Sequence, residues 1–374
     1  MRLVITATNS VTAVGNTSGM TAASVRSGIS RLSKPDHILD SEDKPISVAL
    51  ICTNPDEYEE DTQDYQGPEN SEDDDYKEYE NEDVEVSIIT QITKYCFRTL
   101  LKDYFKNTAS TNQETYILLG TASKKRPGPR YEGKHEELSQ VLTDIAEKKM
   151  SHVTCKIIST GNASSLACIQ MARQILSTNK KALCIIGGID SLLAKKTLRW
   201  FEDNERLKSE THGRHHGFSP GEAVAFTIIE TERGAKLRNK KPIAEIIGLG
   251  LADEPAPLLS EEPSIGEGLT HACQNALSDS AVLPEEINTV IGDLSGEYFS
   301  AKEWSFAEIR CFNNNEITLW HPADCLGSIG AASGTVLINI GVIGLRHGWL
   351  KNDCLVFCSD DGPQCGAIIL KNWN

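Results

Sequence analysis

The chain has 374 residues, 39% hydrophobic and 24% charged, with a net charge of -16. That length suits two domains or one large, internally repeated one that buries roughly three quarters of its unfolded surface. No uninterrupted apolar run reaches the ~20 residues that span a bilayer, which excludes a membrane protein, and the acidic balance excludes nucleic acid as a ligand.

The opening MRLVITATNSV lacks the basic start and cleavage site of a secretory leader and reads as a first strand, so a cytoplasmic location is expected. Between Asp56 and Glu85 stand sixteen Asp or Glu against one basic residue, Lys77, so one segment holds nearly all the net charge. With almost no aliphatic residues, 54–86 cannot bury enough apolar area to offset its ordering entropy, and a disordered insertion is expected there. It is either a solubilising loop or an arm for a basic partner.

VEVSIITQITKYCFRTLLKDYF then carries apolar residues at helical spacing. ETYILLGTAS reads as a strand and SKKRPGPRYEGK (123–134) as a basic loop. KIIST, SSLACIQMARQILSTN and ALCIIGGIDSLL follow as strand, helix and strand. HGRHH (212–216) has no Cys or carboxylate at zinc spacing and reads as a surface loop; no metal or cofactor is expected. Beyond a seam near residue 240, PIAEIIGLGLADEP is a strand, EGLTHACQNALSDS a helix, and NTVIGDLSG and ITLW are strands. A helix through GAASGTVLINIGVIGLRHG and the hairpin strands CLVFCSD and CGAIILK close the chain. The eleven Cys are scattered through apolar segments and read as reduced core thiols.

The two halves, 1–240 and 241–374, repeat one plan. In each, a polar corner (STGN, HPADC) opens a small-residue helix, and the next strand ends in Asp (CIIGGIDS, VFCSDDG). A duplicated strand-helix-strand unit implies two buried sheets covered by helices, an α/β fold. Small side chains let the two central helices approach closely.

In this order, VITATNSVTAVGNT, GGIDSLL, HHGFSPGEAVAFTIIE and LGSIGAASGTVLINIGVIGLRHG resemble the thiolase fold, and within it the beta-ketoacyl synthases. The resemblance covers nearly all of the chain except the acidic insertion. It implies five layers, α-β-α-β-α, and dimerisation through paired strands. It also implies a Cys nucleophile at the start of the first central helix and two His that assist decarboxylation. The corresponding positions here hold Asn162, Asp293 and Gly327. A carboxamide takes no acyl group, a carboxylate repels an enolate, and no imidazole remains. The Gly-Phe-Gly-Gly loop that gates the family's acyl tunnel is replaced by SDDGPQCG, 359–366. In synthases basic patches receive the acidic carrier protein; the basic loop 123–134 meets such a protein, meets the acidic arm, or is merely solvated.

Cys168, one and a half turns into the helix, is too deep to replace a corner nucleophile. Cys325, with His321 and Asp324 beside it, is either a helix-start filler behind an Asp324 cap or an alternative nucleophile for acyl transfer or hydrolysis. GDLSGEYFSAKEW and HPADCLGSIGAASG also resemble thiolase-like proteins encoded beside type VI secretion effectors and adaptors. The expectation is a catalytically inactive adaptor or scaffold, a homodimer or heterodimer whose partner is a secretion effector, an adaptor or another thiolase-like chain. The alternatives are a chain-length-factor-like companion of an active ketosynthase and an enzyme using Cys325 with His321.

Overall fold

The structure, a computed structural model, describes residues 1–51, 82–106, 110–127, 135–209, 213–312, 315–351 and 353–373. Most of the acidic insertion therefore lies outside the described residues. Its last residues do not: a helix starts at Glu82, so the expected boundary at 86 moves back to 81.

The elements in chain order are β1 (Leu3–Thr12), α1 (Ser18–Arg26), β2 (Leu32–Ser33), β3 (Val48–Ala49), α2 (Glu82–Phe105), β4 (Thr115–Gly120), α3 (His135–Glu147) and β5 (Val153–Ile158). Then come α4 (Ser164–Thr178), β6 (Leu183–Ser191), α5 (Lys195–Asp203), β7 (Glu222–Thr231) and α6 (Glu232–Leu237). The rest are β8 (Ala244–Asp253), α7 (Glu267–Ser280), β9 (Thr289–Gly292), α8 (Tyr298–Phe312), β10 (Thr318–Trp320), α9 (Ala323–Leu326), α10 (Ser333–Arg346), β11 (Cys354–Ser359) and β12 (Gln364–Asn372).

The large sheet runs β10-β9-β11-β12-β8-β1-β7-β6-β4-β5. Counted from either outer edge inward, each group of five strands has the same order: third, second, fourth, fifth, first. The groups join edge to edge only where Leu3–Ile5 pairs antiparallel with Ala244–Ile246. The internal repeat is thus visible in the topology.

Alternation along the strands sends side chains into different cores. In β11, Cys354, Val356 and Cys358 face the central core with α4 and α10, while Leu355 and Phe357 face α7 and α8. A third core packs α2 and α3 on the outer face of the first group, around Phe97, Leu142, Ile185 and Phe226. The layers are therefore α2/α3, sheet, α4/α10, sheet, α7/α8.

Small residues bring the central helices together: a Cβ on Gly334 would lie 2.8 Å from the Ser165 Cβ, and Thr335 Oγ1 donates to Ser165 Oγ at 2.8 Å. Asn339, buried in the middle of α10, donates to Asn9 O at 3.1 Å and Ser10 Oγ at 2.9 Å, tying the helix to β1. Among the described residues no helix is long and apolar enough to cross a membrane. The described cysteines are free thiols, all buried except Cys155, which is half-buried.

Candidate functional site

β5 leads through Ser159 and Thr160 into a tight turn, Gly161–Ala163, from which α4 starts. Gly161 has φ +69°, and a Cβ there would fall 1.8 Å from Asp360 Oδ1, so only glycine fits. The next amide, Asn162 N–H, donates to Asp360 Oδ1 at 3.0 Å. Asn162 itself does not cap the helix, as its side chain alone would suggest; the cap comes from Asp360, beyond β11 in the other half. Its Oδ2 accepts from Gly362 N–H at 2.9 Å. Burial, reinforced by Asp361, pushes the Asp360 carboxyl up to about 6.

The second central helix starts the same way. Gly330 has φ +54°, and Ala331 N–H donates to Asp190 Oδ2 at 2.7 Å. Asp190, at the end of β6, also receives Arg126 Nη1 at 2.9 Å and Nη2 at 2.5 Å. Each half thus supplies the anion that caps the other half's central helix, and the Asp at the end of each repeated strand carries that role.

Asp293 follows β9. Its Oδ1 accepts from Ser333 Oγ at 3.0 Å, whereas Oδ2 is sealed from solvent with no hydrogen-bond partner. Burial pushes this carboxyl up to about 7, against the stabilising Ser333 hydroxyl and Asn162 carboxamide. Asn162 and Asp293 line one small cleft of about 40 Å³ between the halves, together with Ser328, Asp360, Asp361 and Arg206. Gly327 is not on its wall. There φ is +68° and ψ is 178°, and a Cβ would lie 2.8 Å from Ser219 O, so its neighbour Ser328 takes the place.

Sequence reasoning did not find Arg206, which closes the cleft. Its guanidinium donates to Glu297 Oε1 and Oε2, each at 2.9 Å, and to Asp361 at 2.7 and 2.8 Å. It also lies over the rings of Phe201 and Phe218, at 5.0 and 5.3 Å from their centroids. The bidentate fork favours this arrangement. Among the described residues no histidine lines the cleft, and no three His, Cys, Asp or Glu form a metal-binding group.

The other candidates lie apart. His321 Nδ1 pairs with Asp324 Oδ2 at 2.8 Å on the surface, and no hydrogen bond joins it to the Cys325 thiol among the described residues. Cys325 packs in the central core, and burial with the nearby Asp324 pushes its thiol up. Asp324 does not cap α9, whose N-cap is Pro322. Cys168 is buried within the same core. In 212–216, His212 lies outside the described residues, while His215 and His216 are exposed. Of 123–134, the structure describes only 123–127: Lys124 and Lys125 are exposed, and Arg126 is the Asp190 partner.

The beta-ketoacyl synthase N-terminal domain family matches residues 155–235. The 3-oxoacyl-[acyl-carrier-protein] synthase 2 of Mycobacterium tuberculosis is 30% identical over 199 residues, 49% of this chain and 46% of that relative. The match thus spans less than half of that relative's length. Among solved structures, the ishigamide ketosynthase/chain length factor superposes with a TM-score of 0.76 at 15% identity, covering 100% of this chain and 99% of that one. A type II polyketide acyl-carrier protein in complex with its ketosynthase bound to the hexaketide gives 0.78 at 14% identity, with the same coverage. The fold is the thiolase fold that these structures share, and residues 155–235 resemble the beta-ketoacyl synthase N-terminal domain.

Proposed function

We propose that this chain is a non-catalytic ketosynthase-fold subunit that works by pairing with another protein, as a chain-length factor pairs with an active synthase. The observation that carries this is the corner of α4. By motif resemblance Asn162 takes the nucleophile's place, and its backbone N–H, the donor an acyl oxyanion would need, is held by Asp360. The cleft beside it is acidic, bolted by Arg206, and too small for an acyl chain. Supporting the pairing, among the described residues β5 is an edge strand bonded only to β4, and such an edge offers a ladder to a second chain.

The named relatives include both a synthase and a ketosynthase/chain length factor, which supports a companion more directly than an effector adaptor. A type VI secretion partner rests on motif resemblance alone. Chemistry by Cys325 gains nothing from its separation from His321.

Affinity purification from the native cell, with mass spectrometry, tests the proposal. It predicts a stoichiometric second thiolase-fold chain that carries a Cys at the corresponding corner. Recovery of a homodimer alone, or of a secretion adaptor in its place, would overturn the companion reading.

A further inference from the structure

The outer core beneath α7 and α8 holds three cysteines: Cys273 on α7, Cys311 on α8 and Cys365 on β12. Neither of the first two borders the cleft. Arg310 Nη1 donates to Ile265 O at 2.7 Å and to Thr270 Oγ1 at 3.3 Å, which holds the end of α8 across the start of α7. The adjacent Cys311 thiol donates to Thr270 O at 3.6 Å. In an α-helix residues three apart share a face and side chains lean toward the N-terminus, so the Thr270 carbonyl lies under the Cys273 side chain. The two sulfurs therefore meet between the helices.

Their electrostatics agree with that placement. The Cys273 S–H, with Arg310 behind it, pulls the Cys311 thiol below the ordinary thiol range against the effect of burial. Cys273 is raised in return, by Cys311 and by its own burial.

We infer that Cys273 and Cys311 form a redox-active dithiol, which a peroxide closes to a disulfide joining α7 to α8. The sulfur of Cys311 reacts first. It lies in the last turn of α8 and keeps 6% of its surface exposed, whereas Cys273 keeps none, and the thiolate is the nucleophilic form. The Cys311 thiolate attacks one oxygen of hydrogen peroxide, the O–O bond breaks, and hydroxide leaves, taking up the proton that Cys311 gave. The resulting sulfenic acid is then attacked by the Cys273 sulfur. The S–O bond breaks, the S–S bond forms, and the sulfenic hydroxyl leaves as water with the Cys273 proton. Both sulfurs are oxidised, and the peroxide is reduced to two molecules of water.

Cys365 is set apart from this pair. Its thiol donates to Glu303 Oε1 at 3.6 Å and to Pro363 O at 3.7 Å. Burial pushes it up, which keeps it protonated and unreactive. The other buried cysteines belong to the two other cores, behind the sheet. The inference does not rest on the companion reading, and its failure would leave that reading untouched.

Peroxide titration of the reduced, full-length protein tests it, followed by iodoacetamide blocking in denaturant and non-reducing peptide mapping by mass spectrometry. The expected product has lost two hydrogens, contains a linked Cys273–Cys311 peptide, leaves every other cysteine alkylated, and regains its starting mass in dithiothreitol. The same titration in urea should scramble the pairings, because the selectivity comes from the fold. In C273S, peroxide should leave on Cys311 a sulfenic acid that dimedone captures, and C311S should leave Cys273 unbridged. If neither serine variant folds, the linkage map of the unaltered protein decides alone. Linkage of either cysteine to Cys365, sulfinic acid at Cys311 without a bridge, or retention of both thiols until the protein unfolds would overturn the assignment.

Discussion

Asp360 accepts the backbone N–H of Asn162 at 3.0 Å, placing a carboxylate from one half of the molecule where the turn of the other half opens its central helix. Asp190 does the same in return for Ala331. The two contacts cross the pseudo-repeat, so the caps that order each central helix also fasten the halves to one another.

Removing either anion should therefore destabilise the whole protein. Asp360→Ala loses a charge-assisted cap, and the expected loss is about 1–3 kcal/mol in urea unfolding. Asp190→Ala should cost more, roughly 3–5 kcal/mol, because it also removes the carboxylate that takes two hydrogen bonds from the nearly buried Arg126 guanidinium. Equal, small losses would show that the caps do not join the halves.

Stability should also respond to pH in an unusual direction. Burial raises Asp293 and Glu303 to about 7 and Asp360 to about 6. Each binds its proton more tightly folded than unfolded. Between the unfolded values near 4 and these folded values the native state holds more protons, so stability falls as pH rises, by up to about 1.4 kcal/mol per pH unit per group. Melting temperatures are expected to drop from pH 5.5 to 7.5, and Asp293→Asn should flatten that slope. A rise over the same interval would contradict the enclosed, unpaired carboxyls.

Restoring a thiol should not restore a nucleophile. In Asn162→Cys the new thiol would sit beside the Asp293 carboxyl, with its own amide held by Asp360, conditions that raise rather than lower a thiol pKa despite the helix start. Iodoacetamide labelling of that Cys at pH 7 is expected to be slower than that of a free thiol. Labelling at or above the free-thiol rate would show that the corner still activates its occupant.

Cys325 should behave as a core residue. Its alkylation is expected to be slow in the native protein and to become fast on unfolding, and His321→Ala should leave the native rate unchanged. A drop in that rate on removing the imidazole would revive an enzymatic role.

Much of the fold was legible because its signals are local. Periodicity marked α2, α4, α7 and α10, and the repeated Asp-ended strands exposed the duplication. The helices α1, α3, α5, α6 and α8 have no counterpart among the sequence expectations; in α8, the Tyr, Phe and Trp of its first half read as a motif rather than as a helix with Trp304 and Ala307 on its buried face. Asn162 and Asp293 emerged from motif positions and do share the cleft. The interactions that define that cleft were invisible because they join distant parts of the chain: Asn162 and Asp360 are 198 residues apart, and Arg206 meets Asp361 across 155. Gly327 was assigned from motif spacing, and its backbone, with φ +68°, leaves no room for a side chain there.

The central claim, that the corner of α4 no longer performs acyl transfer, is tested most directly by intact-protein mass spectrometry after incubation with acyl-CoA and acyl carrier protein thioesters. The expected result is an unmodified mass at every time point. A stoichiometric acyl adduct, mapped to any side chain of the cleft or to Cys325, would contradict it.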